Sequence, residues 1–168
     1  MGDFERMNRR FQFDLFADYF QFYLQDETVK GDLSESWTPE AAHRMLATAP
    51  GTIGVGTVRN MIVPVTVEIA DAAPDDDTSA WDQVNECTLD APSGRVVIAG
   101  YTDYFPDAER IELPPGPCRA RIYYGRLNAL SADGLQGDDH YKIVLWSAAP
   151  EPVRVIKQRA QASSEARP

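Results

Sequence analysis

The chain has 168 residues, 43% of them hydrophobic, which suits one domain with a self-sufficient core. Its formal charge is −10, from 26 acids against 16 bases; a field of that sign repels nucleic acid and favours cationic partners. Apolar runs such as Met61-Ile62-Val63-Pro64-Val65 fall far short of the roughly 20 residues of a membrane helix, and Met1 to Arg6 hold acids where a secretory leader is apolar. A cytoplasmic location is expected.

Residues 1–10 read as a polar, flexible arm. Phe11 to Phe16 alternates apolar and polar residues with the apolar ones at odd positions. Asp18 to Glu27 is the densest aromatic run of the chain, and there Phe20, Phe22 and Leu24 put the apolar parity on even positions. The alternation predicts two half-buried strands, and the change of parity through Phe16-Ala17-Asp18 predicts a bulge or break between them.

After a charged loop, Trp37 to Leu46 carries the one clear helix signal. Thr38 can cap, Pro39 sits where a missing N–H costs nothing, and Glu40 favours the positive end of the helix. Ala41, Ala42, Met45 and Leu46 supply its apolar face, Trp37 is expected to fold back on it, and Pro50-Gly51 to end it. Thr52 to Thr57 reads as a short strand bent at Gly54 and Gly56, and Arg59-Asn60 as a turn. Met61 to Ile69 reads as a strand that Pro64 assigns to an edge or bulge. Residues 70–80 form an exposed acidic loop.

Trp81 to Asp90 and Arg95 to Tyr101, joined by Ala91-Pro92-Ser93-Gly94, are the most hairpin-like pair. Arg110 to Leu113 runs into the strong turn Pro114-Pro115-Gly116-Pro117. Cys118, Ala120, Ile122 and Tyr124 then alternate with Arg119, Arg121 and Tyr123, a strand with its cations outward. Strands at 141–147 and 153–157 close the pattern. Eight to ten short strands and one short helix near residues 39–47 predict a mainly β, two-layer antiparallel β-sandwich over residues 11–158, with a disordered tail at 159–168.

Catalytic chemistry has little support in the sequence. No Gly-x-Ser-x-Gly elbow is present. Asp139 beside His140 is the one pair that could orient an imidazole for base catalysis; His43 reads as an exposed helix residue. Cys87 and Cys118 read as small buried side chains, and their pairing is left open by the sequence. The glycines 51, 54 and 56 lack the following helix that a phosphate cradle requires. Asp71, Asp75, Asp76 and Asp77 lack the alternate spacing and the glycine of a calcium loop, so protein binding or simple solvation is the better reading. No catalytic residue, cofactor or metal is expected.

Several features occur in an order that resembles the bacterial competence protein J family, inhibitors of a competence-associated DNA-entry nuclease. They are Tyr19-Phe20-Gln21-Phe22 with Asp26, Trp37-Thr38-Pro39-Glu40-Ala41, Arg59-Asn60 before an apolar strand, Leu113-Pro114-Pro115-Gly116 before an alternating strand, and Asp139-His140-Tyr141-Lys142-Ile143. The N-terminal arm, the acidic loop and the basic tail depart from that family. The resemblance implies a non-enzymatic protein that binds and blocks a nuclease, in the manner of an immunity protein. Residues 51–100 carry eight acids against two bases, and nucleases present cationic clefts, so Asp71, Asp75, Asp76, Asp77, Asp82 and Glu86 are the candidate partner contacts. Trp37, Arg59 and Asn60 are expected to specify the fold. Two alternatives are a small-molecule or carbohydrate-binding sandwich using Tyr101, Tyr104 and Phe105, and an enzyme using Asp139 and His140.

Overall fold

The computed structural model describes residues 9–160. Eleven strands and one helix follow in the order β1 (Arg9–Phe16), β2 (Gln21–Asp26), α1 (Pro39–Arg44), β3 (Leu46–Ala49), β4 (Thr52–Gly56), β5 (Ile62–Ile69), β6 (Gln83–Ala91), β7 (Arg95–Gly100), β8 (Glu109–Glu112), β9 (Gly116–Gly125), β10 (His140–Ser147) and β11 (Arg154–Lys157). They form a six-stranded sheet, β1-β5-β10-β9-β6-β11, and a five-stranded sheet, β3-β4-β2-β7-β8. The protein is a β-sandwich. Most of the expected arm and tail, residues 1–8 and 161–168, lies outside the described residues; Arg9 and Arg10 belong to β1.

The period-two pattern explains the layers. Phe22 and Leu24 of β2, Ile53 and Val55 of β4, and Val96 and Ile98 of β7 are buried in the core shared with the other sheet. That sheet contributes Val63, Val65 and Val67 of β5, Ile143 and Leu145 of β10, and Ala120 and Ile122 of β9. Burying each of the larger side chains contributes about 1.5–3 kcal/mol. Tyr141 and Tyr124 meet edge-on at 6.0 Å in this core, and Phe22 packs on Tyr141 at 6.1 Å.

Several sequence expectations are corrected. The break between β1 and β2 is a short 3-10 turn at Asp18–Phe20, and it takes Phe20 out of the core. Tyr19 and Phe20 both adopt left-handed backbone, at φ 60° and 61°, and are exposed. The helix ends earlier than expected, at Met45 in left-handed conformation, and its backbone N–H reaches Ala41 and Ala42. Leu46 therefore begins a strand. Ala42 is exposed. Trp37 donates its indole N–H to Gln21 Oε1 at 3.1 Å and covers Gly54, where a Cβ would crowd Leu33 and the indole. The glycines of β4 thus serve close packing on a continuous strand.

Pro64 does not mark an edge strand: β5 lies between β1 and β10. Pairing with β10 starts only at Val65, so Pro64 is flanked by β1 alone. The β5–β10 pair is parallel, whereas the other strand pairs are antiparallel. The expected hairpin of β6 and β7 is absent, because the turn between them carries the chain from one sheet to the other. Asp26 pins that crossing. Its carboxylate accepts hydrogen bonds from the backbone N–H and hydroxyl of Ser93, at 3.0 and 2.7 Å, and from the backbone N–H of Thr28 at 3.0 Å.

Candidate interaction site

Residues 70–82 run as a strap across the outer face of the six-stranded sheet. The backbone N–H of Ala70 donates to the Leu145 carbonyl at 2.9 Å at one end. At the other, the Trp81 ring packs on Tyr123 and His140, with centroids 5.2 and 5.1 Å away. A second apolar cluster lies underneath, built of Val84, Tyr123, Val144 and Trp146 with Ala70, Trp81, Ala148 and Ile156. Arg121 donates to the Asp75 carbonyl at 3.0 Å, and Lys157 to the Thr78 carbonyl at 3.2 Å. Two successive side-chain turns shape the middle: Asp75 accepts from the backbone N–H of Asp77, and Asp77 from the N–H and hydroxyl of Ser79. Those bonds, the backbone one foremost, hold the Asp77 carboxyl below the usual range.

This arrangement sorts the six candidate acids. Asp71, Asp75, Asp76 and Asp77 sit together on the exposed strap, with the Asp76 carboxylate 99% exposed and 3.8 Å from Arg121. Asp82 is half-buried and accepts from the Leu127 backbone N–H at 2.7 Å. Glu86 must be removed from the contact surface. It is 3% exposed and lies 2.7 Å from Arg154, 3.6 Å from Arg119 and 3.7 Å from Arg121. The cations of β9 do point away from the core, as the alternation requires. Arg121 is nevertheless buried, between Glu86, the strap and the Trp146 ring 5.7 Å away. The sequence showed their face but not the strap that roofs it.

Asp139 and His140 do not cooperate. The Asp139 carboxylate is buried and accepts from Arg59 Nε and from the Tyr141 hydroxyl, each at 2.6 Å. The Tyr141 hydroxyl in turn accepts from the Val58 backbone N–H at 3.0 Å. Burial, reinforced by the bond to Asp139, pushes the Tyr141 hydroxyl well above its ordinary pKa. His140 lies against Trp81, with Nδ1 3.1 Å from the Asp138 carbonyl. Adjacent strand residues face opposite ways, so the imidazole is not oriented by Asp139. Arg59 is the buried cation of this network, a role beyond the turn that its sequence context indicates.

Cys87 and Cys118 are free and buried on the neighbouring strands β6 and β9. Burial pushes both thiols up to about 12. Among the described residues, no group of three or more His, Cys, Asp or Glu is placed to hold a metal ion.

No protein-family profile matches the chain, and no curated protein matches it by sequence. Solved structures do match. The chain has the ComJ-like fold, a two-sheet sandwich with one short capped helix. The crystal structure of ComJ, inhibitor of the DNA degrading activity of NucA, from Bacillus subtilis, aligns with a TM-score of 0.64 at 17% identity. The alignment covers 84% of this chain and 99% of that one. A second structure, the product of crocagin biosynthetic gene J, aligns with a TM-score of 0.58 at 16% identity, over 85% of this chain and 99% of that one.

Proposed function

We propose that this protein is a non-enzymatic inhibitor of a basic nuclease, acting in the cytoplasm. The fold shared with ComJ over nearly all of that chain carries the reading. The acidic strap supports it: Asp71, Asp75, Asp76 and Asp77 present carboxylates to solvent, with Asp82 at its end. A nuclease binds phosphates with lysine and arginine, so a carboxylate-rich surface is complementary to its cleft. The unpaired cysteines fit a reducing compartment.

The test is DNA degradation by the basic nucleases of the source cell, purified and titrated with this protein. Inhibition at near-stoichiometric ratio, weakening as salt rises, is expected. Unchanged degradation at excess protein would rule the function out.

A further inference from the structure

The two open sheets end in four edge strands, β1, β11, β3 and β8. Three of them are blunted. β3, β8 and β11 are only four residues long, and β11 shifts register against β6 between Val155 and Lys157. β1 differs. It runs for eight residues, Arg9–Phe16, without proline, glycine or lysine, and in unbroken register with β5. Among the described residues no strand lies on its other side. Shortness, bulges, prolines and lysines keep sheet edges from pairing with other chains, and β1 has none of these.

The pairing of β1 with β5 fixes where its remaining backbone groups point. The Ala17 backbone N–H donates to the Met61 carbonyl at 2.9 Å, and β1 keeps that register back to Arg9. Bonded and non-bonded residues alternate along an antiparallel pair. The odd-numbered residues of β1 therefore turn their N–H and C=O groups to β5. Arg10, Gln12 and Asp14 turn theirs to the open edge. Pro64 stands opposite Asp14, where no N–H is owed to β1. The side chains follow the same parity. Leu15 is buried in the core, and Phe11 and Phe13 pack against it, whereas Arg10, Gln12 and Asp14 are exposed on the outer face. Arg10 meets Glu68 at 3.0 Å and stays 60% exposed; Asp14 has no ion-pair partner among the described residues.

The order of residues along this edge is complementary to itself. A two-fold axis through Gln12 sets Arg10 opposite Asp14 of a second copy, and Asp14 opposite Arg10 of that copy. It also sets Phe11 and Phe13 opposite Phe13 and Phe11 on the core face, and each open N–H of the three outward residues against an open carbonyl. Axes through Arg10 or Asp14 put like charges opposite one another. Axes through Phe11 or Phe13 put Arg10 opposite Gln12 or Phe16. Opposite charges and aromatic pairs across neighbouring strands stabilise a sheet. We propose that β1 pairs antiparallel with β1 of a second copy of this chain, centred on Gln12, which joins the two larger sheets into one. Such isologous pairing closes as a dimer. Its axis is perpendicular to the sheet, so the acidic straps of both copies face the same side. The proposal is independent of the inhibitor reading.

The test is sedimentation velocity of the full chain over a dilution series. The unaltered chain is expected to pass from monomer to dimer as concentration rises. Asp14→Arg and Arg10→Asp each place like charges opposite one another at both ends of the pairing, and each is expected to weaken self-association about tenfold or more. An equimolar mixture of the two variants restores both opposite-charge pairs and is expected to dimerise about as well as the unaltered chain. Gln12→Pro removes an outward N–H and no bond to β5, a change that edge strands accept, and should also lose the dimer. Thermal melting checks that each variant is folded. A chain that stays monomeric at every concentration overturns the proposal. A dimer that survives Gln12→Pro and both charge reversals places the interface elsewhere and overturns it too. Failure of the two charge variants to pair with each other overturns the Gln12-centred register.

Discussion

Arg59 and Asp139 lie 80 residues apart in sequence and meet at 2.6 Å inside the sandwich, with Arg59 almost fully buried and Asp139 completely so. The contact ties the loop before β5 to the start of β10, and Tyr141 completes it. Removing one charge leaves the other buried and unpaired. Asp139→Ala is expected to cost about 3–5 kcal/mol in urea unfolding. Tyr141→Phe removes only a hydroxyl and is expected to cost about 1–3 kcal/mol. Adding Arg59→Leu to Asp139→Ala should recover part of the loss; a fully additive double mutant would show that the two groups act separately.

Asp26 gives a pH signature. Burial raises its pKa, but hydrogen bonds from Thr28 and Ser93 outweigh that and hold it below the usual carboxylate range. A depressed folded pKa contributes stability that is present above the unfolded value near pH 4 and is lost as pH falls through the folded value. Urea midpoints measured from pH 7 downward should therefore fall below about pH 4. Asp26→Asn should be less stable at pH 7 and show a shallower acid limb. Parallel acid limbs would sink the assignment. The exposed Asp32, Asp77 and Asp133 also have lowered pKa values, so some slope remains in the variant.

Glu86 and the strap acids should separate cleanly. Glu86→Ala leaves three guanidiniums facing each other on one sheet face and is expected to cost about 3–5 kcal/mol. Replacing Asp75, Asp76 and Asp77 together by serine touches exposed side chains whose turn hydrogen bonds a serine hydroxyl can also accept, so the variant should stay folded. In nuclease titrations the triple variant should slow association and flatten the salt dependence. A triple variant that unfolds would make these acids structural.

The left-handed turn at Tyr19 and Phe20 offers a gain of stability. Phe20→Asn places a residue suited to left-handed backbone at φ 61°. Thermal or chemical unfolding should show unchanged stability or a gain of up to about 1 kcal/mol. A large loss of stability would mean that the ring packs more than its exposure implies.

The layers were legible in the sequence because a period of two reports which side of a strand is apolar. Phe22, Leu24, Ile122 and Tyr124 follow from that pattern, and Thr38 and Pro39 fixed the helix start. Phe20 did not follow, because two left-handed residues interrupt the strand without a glycine to announce them. Arg121 and Glu86 looked like surface charges because alternation reports the face of a sheet and not what lies across it. The crossing of β6 to β7 was hidden by a Pro-Ser-Gly turn that serves a hairpin equally well. Asp26, which pins it, carries no local signal of its partner 67 residues away. Tyr101 read as the end of a strand and Tyr104 as a loop residue; the meeting of Tyr101 with Tyr19 is a tertiary fact.

In the six-stranded sheet, β1 and β5 form one part and β9, β6 and β11 the other, and only β10 joins them. A ribosome must therefore release residue 147 before the larger sheet can close, although every strand of the smaller sheet has emerged by residue 112. Until then β5 and β9 each have an unsatisfied edge beside apolar residues. The nascent chain thus passes through an interval in which these edges lack their pairing partners, the condition under which unpaired strands are most prone to aggregate.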